Sequence, residues 1–513
     1  MRCNTGLLRT ILPVLLTLCI ATVTAPEVHA QPNMTAQSVT RSRRMLVVYR
    51  HGAIPGDAEG VALHVGGRVL HRHEQFGTTL VLGSAATEAS LRMDADVEYV
   101  VEDRLVAASR LMTEELATPV ARASTPMKAM PVDGADAFYS GTPHGWAVRA
   151  VGGYGGGVAG SEAAGPWAIS TGKGVRIAVL DSGVDRNHPD IAPNLLVNMT
   201  EVDQAQQPSA CDDGSPQDQS GHGTWVASLA AGAAGSSTGM VVGVAPGASI
   251  LNIKVLQRLP GAGATVAEQC RNGQPSGMLS WVLQGIEDAM AQRADVIVLS
   301  MSTILDLYSG DAAGLKASFD RVTHAAATAG VVIVAAAGND AFDFTNTRYF
   351  SLPAQSRDVL AVVASTNPAC AENVRPGAVC VAGSVSRPYY SNYGSPLNAV
   401  AAPGGSYPLG GDEAVSGWVR GACTSGIPNT FDGVPTDANH SEGCFNLGHV
   451  PYVQAIGTSA SAPMVAGVVA MVKAAHPEWS AATVAVAVRA SASLSGPMTL
   501  GVVNAAAALA YEP

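Results

Sequence analysis

Five short runs of apolar residues constrain the fold of this chain more than any other feature. The runs are GVRIAVLD (174–181), ASILNIKVL (248–256), ADVIVLSMS (294–302), GVVIVAAAGN (330–339) and DVLAVVAS (358–365). They are near-continuous rather than alternating, which is typical of parallel strands buried on both faces. Helical patterns occur between and after them, at 224–234, 280–293, 314–329, 464–475 and 481–493. The sequence therefore predicts an α/β domain with a central parallel sheet.

A second pattern precedes this domain, from residue 45 to about residue 107. MLVVYR, GRVLHRHEQ, TTLVLG and VEYVVEDRLV are typical of strands, whereas GDAEGVALHV and ATEASLRMDA are typical of helices. The order βαββαβ predicts a small ferredoxin-like α+β domain. Because many unrelated functions use this unit, it indicates no function by itself.

The overall composition favours a folded, acidic protein. The chain has 513 residues, of which 47% are hydrophobic and 14% charged, and its formal net charge is -11. A hydrophobic fraction of this size predicts a large interior. Because lysine and arginine form no long cluster, nucleic acid and anionic membranes are not expected as partners.

The N-terminus resembles an export signal. Arg2 and Arg9 precede an apolar run at 11–23, and small residues precede Gln31. The run is shorter than the roughly 20 residues that span a bilayer, so we favour a cleaved signal peptide at 1–30 over a membrane anchor. The sequence thus predicts a secreted, extracellular protein, or one released into the cell envelope.

Six cysteines remain after the predicted signal peptide, and an even number in an exported protein indicates disulfide bonds. They are Cys211, Cys270, Cys370, Cys380, Cys423 and Cys444. Local pairing of 370 with 380 and of 423 with 444 would leave 211 with 270, although six cysteines allow 15 connectivities. A metal site is the alternative role for these cysteines, but no C-x-x-C or clustered Cys/His pattern supports it.

Candidate catalytic residues follow two of the apolar runs. In an open parallel sheet, ligands bind at the carboxyl ends of the strands, where Asp181 and Asn339 are expected. His222 lies between two glycines just before a helical pattern, where a neutral imidazole is favoured as a base. Each of these residues alone is more simply interpreted as a turn or surface residue.

Two serines, Ser459 and Ser461, precede a helical pattern that is apolar all round. A serine there would be held rigidly, with backbone N–H groups nearby to stabilise negative charge. Residues two positions apart do not share a helix face, so at most one of them faces the cleft.

Taken together, these segments resemble the motifs of the subtilisin-like (subtilase, S8 family) serine peptidases. The chain order Asp, His, Ser is the one known from subtilisin. AVLDSGVDRNHPD, GHGTWVAS and GTSASAP are similar to the aspartate, histidine and serine motifs of the family, and AAAGN is similar to its oxyanion segment. GVAPGASILNIKVL and VAAPGG match structural signatures of the family. The resemblance implies a subtilisin-like three-layer peptidase domain at 166–513.

The resemblance also assigns roles to individual residues. It implies a catalytic triad of Asp181, His222 and Ser459, with Asn339 as the side-chain donor of the oxyanion hole. It implies that substrate binds along Ser300, Met301, Ser302 and Gly338. It implies no catalytic metal and no required cofactor.

The small domain fits the same resemblance, because the family's inhibitory propeptide is a βαββαβ unit. The resemblance implies that residues 31–107 form this propeptide, which acts as chaperone and inhibitor of its own enzyme. It is expected to be cut off between about Arg104 and Thr125, within or just before a processing linker at 108–165.

The sequence departs from the family pattern at several positions. Trp225 stands where many relatives carry histidine, Ser302 where glycine is usual, and Ala460 where methionine is common. Asp190 matches a carboxylate of the family's calcium site, but the loop AGSSTGMVVG lacks its asparagine. A structural calcium ion is therefore an open alternative.

The predicted function is a secreted, monomeric serine endopeptidase that acts on proteins or peptides and is made as a self-processing zymogen. Two alternatives remain at this point. One is an inactive relative that serves as a binding or scaffold protein, and the other is a processing protease of narrow specificity.

Overall fold

The computed structural model of the chain describes residues 42–108, 145–153, 165–235, 241–345, 347–366, 385–405, 419–427, 431–432, 444–447, 450–493 and 500–513. The predicted signal peptide, the Cys370–Cys380 pair and most of the predicted linker lie outside the described residues.

The small N-terminal domain has the predicted βαββαβ order. Its elements are β1 (Arg43–Tyr49), α1 (Ala58–His64), β2 (Arg68–His73), β3 (Thr78–Gly83), α2 (Ala85–Arg92) and β4 (Val97–Glu102). The sheet order is β2-β3-β1-β4, and its neighbouring strands are antiparallel. This is the ferredoxin-like arrangement that the sequence predicts.

The prediction of a single last strand over VEYVVEDRLV is wrong. The segment divides into β4 and a separate strand β5 (Leu105–Ala107). Between them the buried Asp103 side chain bonds to Ser280 of the larger domain. The chain leaves the small sheet after this residue, and β5 pairs with a strand of the larger domain.

The larger domain is built on the predicted parallel sheet, which has seven strands. Its strands are β6 (Arg176–Asp181), β7 (Leu195–Thr200), β8 (Ser249–Lys254), β11 (Val296–Leu299), β13 (Val332–Ala336), β15 (Val359–Ser365) and β16 (Ala399–Pro403). They lie in the order β16-β15-β13-β11-β6-β8-β7, and every pair is parallel.

Three smaller sheets surround this one. Strands β9 (Gln257–Leu259) and β10 (Gln274–Met278) form a sheet with β5, and β12 (Thr303–Asp306) pairs with β14 (Tyr349–Leu352). Strands β17 (Val419–Ala422), β18 (Phe431–Asp432), β19 (Phe445–Leu447) and β20 (Val450–Ala455) form the last sheet.

Helices cover both faces of the parallel sheet. They are α3 (Trp146–Ala150), α4 (His222–Ala231), α5 (Val266–Arg271), α6 (Leu279–Ala291), α7 (Ala312–Thr328), α8 (Thr458–Ala475), α9 (Ala481–Ala490) and α10 (Ala505–Leu509). Successive residues of each strand point to opposite faces. Ile177 and Val179 of β6 accordingly join the core under α4 and α8, whereas Ala178 and Leu180 join the core under α6 and α7. The three-layer α/β prediction is confirmed.

The small domain shares a core with one of these helical layers. Leu46, Val48 and Leu80 of its sheet belong to the same buried cluster as Leu315 and Phe319 of α7. The outer face of the small sheet packs its own helices α1 and α2. The small domain is therefore seated on α6 and α7, beside the carboxyl ends of the parallel strands.

Helix α8 is buried along nearly its whole length. Within the part of the chain that the structure describes, it is the one helix long and apolar enough to cross a membrane, and 83% of it lies inside the protein. It is therefore a core helix, as its all-round apolar sequence predicts.

Two of the three favoured disulfide bonds are present in the described residues. Cys211 pairs with Cys270, across a separation of 59 residues, and Cys423 pairs with Cys444, across 21 residues. The second of these lies next to the histidine segment of the candidate site.

Candidate active site

The first two candidate residues meet in a buried hydrogen bond. Asp181 is the last residue of β6, and His222 is the first residue of α4. The Nδ1 atom of His222 lies 2.6 Å from Oδ1 of Asp181, and both side chains are fully buried. Since the carboxylate accepts a hydrogen bond, Nδ1 carries the proton and Nε2 is left as the basic nitrogen. Nε2 is buried and takes part in no hydrogen bond.

Two glycines let the histidine helix approach the aspartate strand. A Cβ on Gly223 would overlap the carbonyl oxygen of Gly183, two residues beyond Asp181. Gly221 precedes the helix with a φ of 90°, which a residue with a side chain rarely adopts. A Cβ there would lie 2.7 Å from Sγ of Cys423. The disulfide bond therefore packs directly against the start of α4.

A buried carboxylate, Asp218, organises the same segment and was missed by the sequence analysis. Its oxygens accept hydrogen bonds from the backbone N–H groups of Ser220, Gly221 and Thr224, and from the Thr224 hydroxyl. They also accept the hydroxyl of Ser182, whose oxygen in turn accepts the N–H of Gly223. Asp218 thereby ties the end of β6 to the first turn of α4.

Burial raises the pKa of Asp218, while hydrogen bonds from Thr224, Ser220 and Gly221 oppose the rise. The only sequence signal for this role is an aspartate four residues before the histidine, which in isolation is typical of a loop.

The third candidate, Ser459, lies in the first turn of α8, and the predicted helix start near residue 464 is six residues late. The helix begins at Thr458 and contains Pro463. A proline inside a helix leaves the carbonyl four residues earlier without its N–H partner. That carbonyl belongs to Ser459, and it accepts the hydroxyl of Ser300 at 3.2 Å. The side chain of the residue that directly follows β11 therefore supplies the missing hydrogen bond.

The Ser459 side chain is fully buried, and the helix that carries it packs against α4. Its hydroxyl donates to the carbonyl oxygen of Ser300 at 3.4 Å. In this structure the serine hydroxyl is thus placed on the β11 side, while His222 Nε2 is unbonded. Catalytic hydrogen bonds of this kind are often formed only in the substrate complex.

Ser461 lies on a different face of α8 and is also fully buried. A Cβ on Gly404 would lie 2.8 Å from its Oγ atom. Its hydroxyl makes no hydrogen bond, so its surroundings are those of a packing residue.

Asn339 follows β13 and is held by the residue before Ser459. Its Oδ1 atom accepts the backbone N–H of Thr458 at 2.9 Å and the Thr458 hydroxyl at 2.8 Å. Because Oδ1 accepts both bonds from Thr458, the Nδ2 amide group takes no part in these two contacts and points away from them. A Cβ on Gly457 would lie 3.1 Å from that Nδ2 atom. The amide N–H group therefore lies at the N-terminus of α8, close to the serine segment.

The predicted substrate strand is occupied by the chain that leaves the small domain. Ala108 forms an antiparallel bridge with Met301. On the other side, β5 pairs antiparallel with β10, placing Val106 opposite Gly277. Residues 105–108 thus lie between two strands of the larger domain, and the side chains of Val106 and Ala108 are buried. The sequence analysis predicted the 300–302 side of this groove and missed β10.

Ser302 and Gly338 lie next to one another at this groove. A Cβ on Gly338 would meet the Ser302 Oγ at 2.8 Å, and the φ of Gly338 is 103°. The N–H of Gly338 donates to the Thr458 hydroxyl at 3.2 Å. The serine that replaces the usual glycine is therefore accommodated because residue 338 has no side chain.

Trp225 fills the space beside the histidine. It is fully buried, its indole N–H donates to the carbonyl of Val419 at 3.3 Å, and its ring packs edge-on at 6.2 Å from the His222 ring. Trp225 thus packs against the base, and the effect of having tryptophan rather than histidine here stays a prediction.

The predicted calcium ligand has a protein partner in this structure. The Asp190 carboxylate is buried and accepts the hydroxyl of Tyr452 at 2.9 Å. Residues 236–240 of the facing loop lie outside the described residues, so calcium binding here stays a prediction. Among the described residues, one group of histidine and acidic side chains has its ligand atoms close enough to share an ion: His71, His73 and Glu287.

Comparison with known proteins identifies the family of the larger domain. The model of the Subtilase family (peptidase S8) matches residues 172–506, about two thirds of the chain. The major intracellular serine protease of Bacillus subtilis is 34% identical over 193 residues, which cover 37% of this chain and 51% of that protein. Subtilisin E of Bacillus subtilis is 31% identical over 314 residues, which cover 61% of this chain and 59% of that protein. The chain thus spans about half to three fifths of the length of these two relatives.

Solved structures support the same fold. Fervidolysin from Fervidobacterium pennivorans, a keratinolytic enzyme related to subtilisin, matches with a TM-score of 0.60 and 20% identity, over 92% of this chain and 61% of that one. The epidermin leader peptide processing serine protease of Staphylococcus aureus matches with a TM-score of 0.58 and 16% identity, over 92% and 99%.

Proposed function

This chain belongs to the subtilase family of peptidases, and on that premise we propose that it is a secreted serine endopeptidase made as a self-processing zymogen. Ser459 is the nucleophile, His222 the general base, Asp181 the residue that orients the base, and Asn339 a donor to the oxyanion. The observation that carries the proposal is the buried hydrogen bond from His222 to Asp181, which leaves Nε2 of the imidazole as the basic atom.

The proposed reaction proceeds through an acyl-enzyme. The Ser459 oxygen attacks the scissile carbonyl carbon while Nε2 of His222 takes the hydroxyl proton, and the imidazolium then returns that proton to the leaving amine. Water repeats the sequence to release the acyl group. Asp181 stabilises the imidazolium, whose positive charge would otherwise be costly in a fully buried site.

Negative charge on the carbonyl oxygen is stabilised by two donors in this proposal. One is the Asn339 amide, whose orientation is fixed by the two bonds from Thr458. The other is the backbone N–H of Ser459, in the first turn of α8, where the helix dipole also favours negative charge. Because His222 supplies the base and these donors the electrostatic stabilisation, the chemistry requires no metal or cofactor.

The small domain is proposed to be the inhibitory propeptide and chaperone, with the predicted bounds 31–107. Support comes from residues 105–108, which lie antiparallel between β10 and Met301 in the manner of a bound peptide. Because Ala108 lies in this groove beside Met301, we expect cleavage within a few residues after Ala108. Substrates are expected to bind along Ser300, Met301, Ser302 and Gly338 in the same antiparallel manner.

The remaining assignments rest on the sequence. Residues 1–30 are proposed to be a cleaved signal peptide, 108–165 a processing linker and 166–513 the peptidase domain, acting as a monomer on proteins or peptides. Mass spectrometry of the secreted protein would give both cleavage positions, and an N-terminus far from residue 110 would contradict the propeptide assignment.

The nucleophile is tested by comparing two serine variants. We expect Ser459→Ala to abolish peptide hydrolysis and fluorophosphonate labelling, because it removes the attacking oxygen. Ser461→Ala is the matched control, since it removes an equally buried hydroxyl two residues away. This variant should keep both peptide hydrolysis and fluorophosphonate labelling. Labelling that survives Ser459→Ala would refute the assignment, and a folded wild-type protein that takes no label would favour a non-catalytic binding role.

A further inference from the structure

A group of two histidines and one glutamate lies where the small domain meets the larger one. His71 and His73 are on β2 of the small domain, and Glu287 is on α6 of the larger domain. Residues two apart on a strand point to the same face, so both imidazoles face α6. The Oε2 atom of Glu287 lies 2.8 Å from Nδ1 of His73 and 3.4 Å from Nε2 of His71.

The spacing of these atoms suits a small divalent cation. One ligand atom from each of the three residues lies within 4.8 Å of the other two. Tetrahedral zinc with bonds of about 2.0–2.2 Å holds its ligand atoms about 3.3 Å apart, so the two distances from Oε2 of Glu287 need adjustments of about 0.5 Å or less. Two imidazoles and a carboxylate are donors that zinc prefers, whereas calcium requires oxygen ligands.

Burial and access also fit an ion-binding site. His73 is only 1% exposed, and its Nε2 atom makes no hydrogen bond, so the buried imidazole is incompletely satisfied by the protein. The His71 side chain is 40% exposed and provides an entry path from solvent. A cavity of about 210 Å³, lined by His71, His73, Glu201 and Gln284, adjoins the group and has room for a water molecule as fourth ligand.

We propose that His71, His73 and Glu287 bind a zinc ion that joins the small domain to the larger domain. The ligands come from both sides of the interface, so the complete site exists only while the two domains are in contact. On the proposed function, in which residues 31–107 are a propeptide, zinc slows the release of the cleaved propeptide and chelation speeds it.

Zinc binding is tested first on the uncleaved full-length chain, prepared as the Ser459→Ala variant. Titration calorimetry with ZnCl₂ should show one site, and Co²⁺ should give the visible absorption of a tetrahedral complex. Glu287→Gln keeps the shape of the side chain but removes its charge, and His71→Ala removes an imidazole that is partly exposed. Each should weaken zinc binding at least about tenfold, because a three-ligand site loses one ligand.

His64→Ala is the matched control, since His64 is an exposed histidine on the same small domain outside the group. It should bind zinc as the parent chain does. Absence of zinc binding would overturn the proposal. So would a zinc affinity in Glu287→Gln and His71→Ala that equals the affinity of the parent chain.

The second measurement follows release of the cleaved propeptide from the wild-type protein, with ZnCl₂ or with EDTA. Release should be at least about tenfold slower with zinc in the wild type, and independent of zinc in Glu287→Gln. Equal rates of propeptide release with ZnCl₂ and with EDTA in the wild type would overturn the role of the ion at the interface. Failure of the chain to cleave itself would contradict the proposed function only, because zinc binding is measured on uncleaved protein.

Discussion

Asp103 should be a main determinant of how tightly the small domain holds the larger one. Its side chain is fully buried at the interface, where Oδ2 accepts Nε of Arg44 at 3.0 Å and the Ser280 hydroxyl at 2.8 Å. Oδ1 accepts the backbone N–H of Ser280 at 2.9 Å. Since α6 begins at Leu279, that N–H has no partner within the helix, and the carboxylate also lies favourably at the helix N-terminus.

The Asp103→Ala variant removes all three bonds at once. Arg44 lies on the same small domain as Asp103, so the two bonds from Ser280 are the ones that cross the interface. A hydrogen bond to a charged group contributes about 1.5–3 kcal/mol. We expect the two bonds together to contribute about 2–3 kcal/mol, because they share one carboxylate and one partner residue and do not add fully. At about 1.4 kcal/mol for each factor of ten, the cleaved small domain should bind about 30- to 150-fold more weakly.

The assay follows hydrolysis of a chromogenic peptide after self-processing, where the end of the lag reports release of the small domain. Asp57→Ala is the control, because Asp57 is exposed at the start of α1 and its side chain makes no capping bond. This variant should keep the wild-type lag. A lag for Asp103→Ala within about threefold of the wild type would refute the reasoning that this buried carboxylate anchors the interface.

Three further predictions concern the larger domain. Asn339→Ala should lower kcat about 10²- to 10³-fold, a magnitude measured on subtilisin itself, with little effect on KM; an unchanged kcat would remove Asn339 from the oxyanion hole. Asp218→Asn should lower kcat about 5- to 150-fold at nearly constant KM, because the amide leaves buried N–H donors beside His222 unsatisfied at a cost of about 1–3 kcal/mol. Wild-type kinetics would show that the carboxylate does not position the base. Burial lowers the pKa of His188 below its ordinary value of 6.5. As the pH falls, His188 therefore takes up a proton in the unfolded chain before it does so in the folded protein. The free energy of unfolding should be highest above about pH 6.5 and should decrease as the pH drops through that value. His188→Gln should flatten this dependence in denaturant unfolding between about pH 7 and about pH 5, and an unchanged slope would contradict the assignment.

The layered fold and the order of its elements could be predicted from local patterns. Short, continuous apolar runs such as the one ending at Asp181, alternating with helical patterns, are typical of strands buried on both faces, so they predict a parallel sheet from local sequence. The same reasoning predicted that Asp181 and Asn339 would lie at one edge of the sheet. The family motifs then supplied roles for them, which local patterns alone would have left as turns.

The start of α8 could not be predicted, because it depends on a contact between distant segments. Pro463 and Gly457 are local signals against a helix at Ser459, and the helical pattern in the sequence begins only at Met464. In the structure the Ser300 hydroxyl satisfies the carbonyl that Pro463 leaves without a partner. Tertiary packing thus overrides the local preference.

The contacts across the two domains were equally invisible in the sequence. Asp103 lies within a segment whose pattern predicts one continuous strand, yet its bond to Ser280, 177 residues away, divides that segment in two. His71 and His73 look like ordinary strand residues until Glu287 is placed beside them. Periodicity reports which face of an element is buried, because that depends only on neighbours along the chain. It does not report which polar groups meet across an interface, and those pairings were decided by the tertiary structure alone.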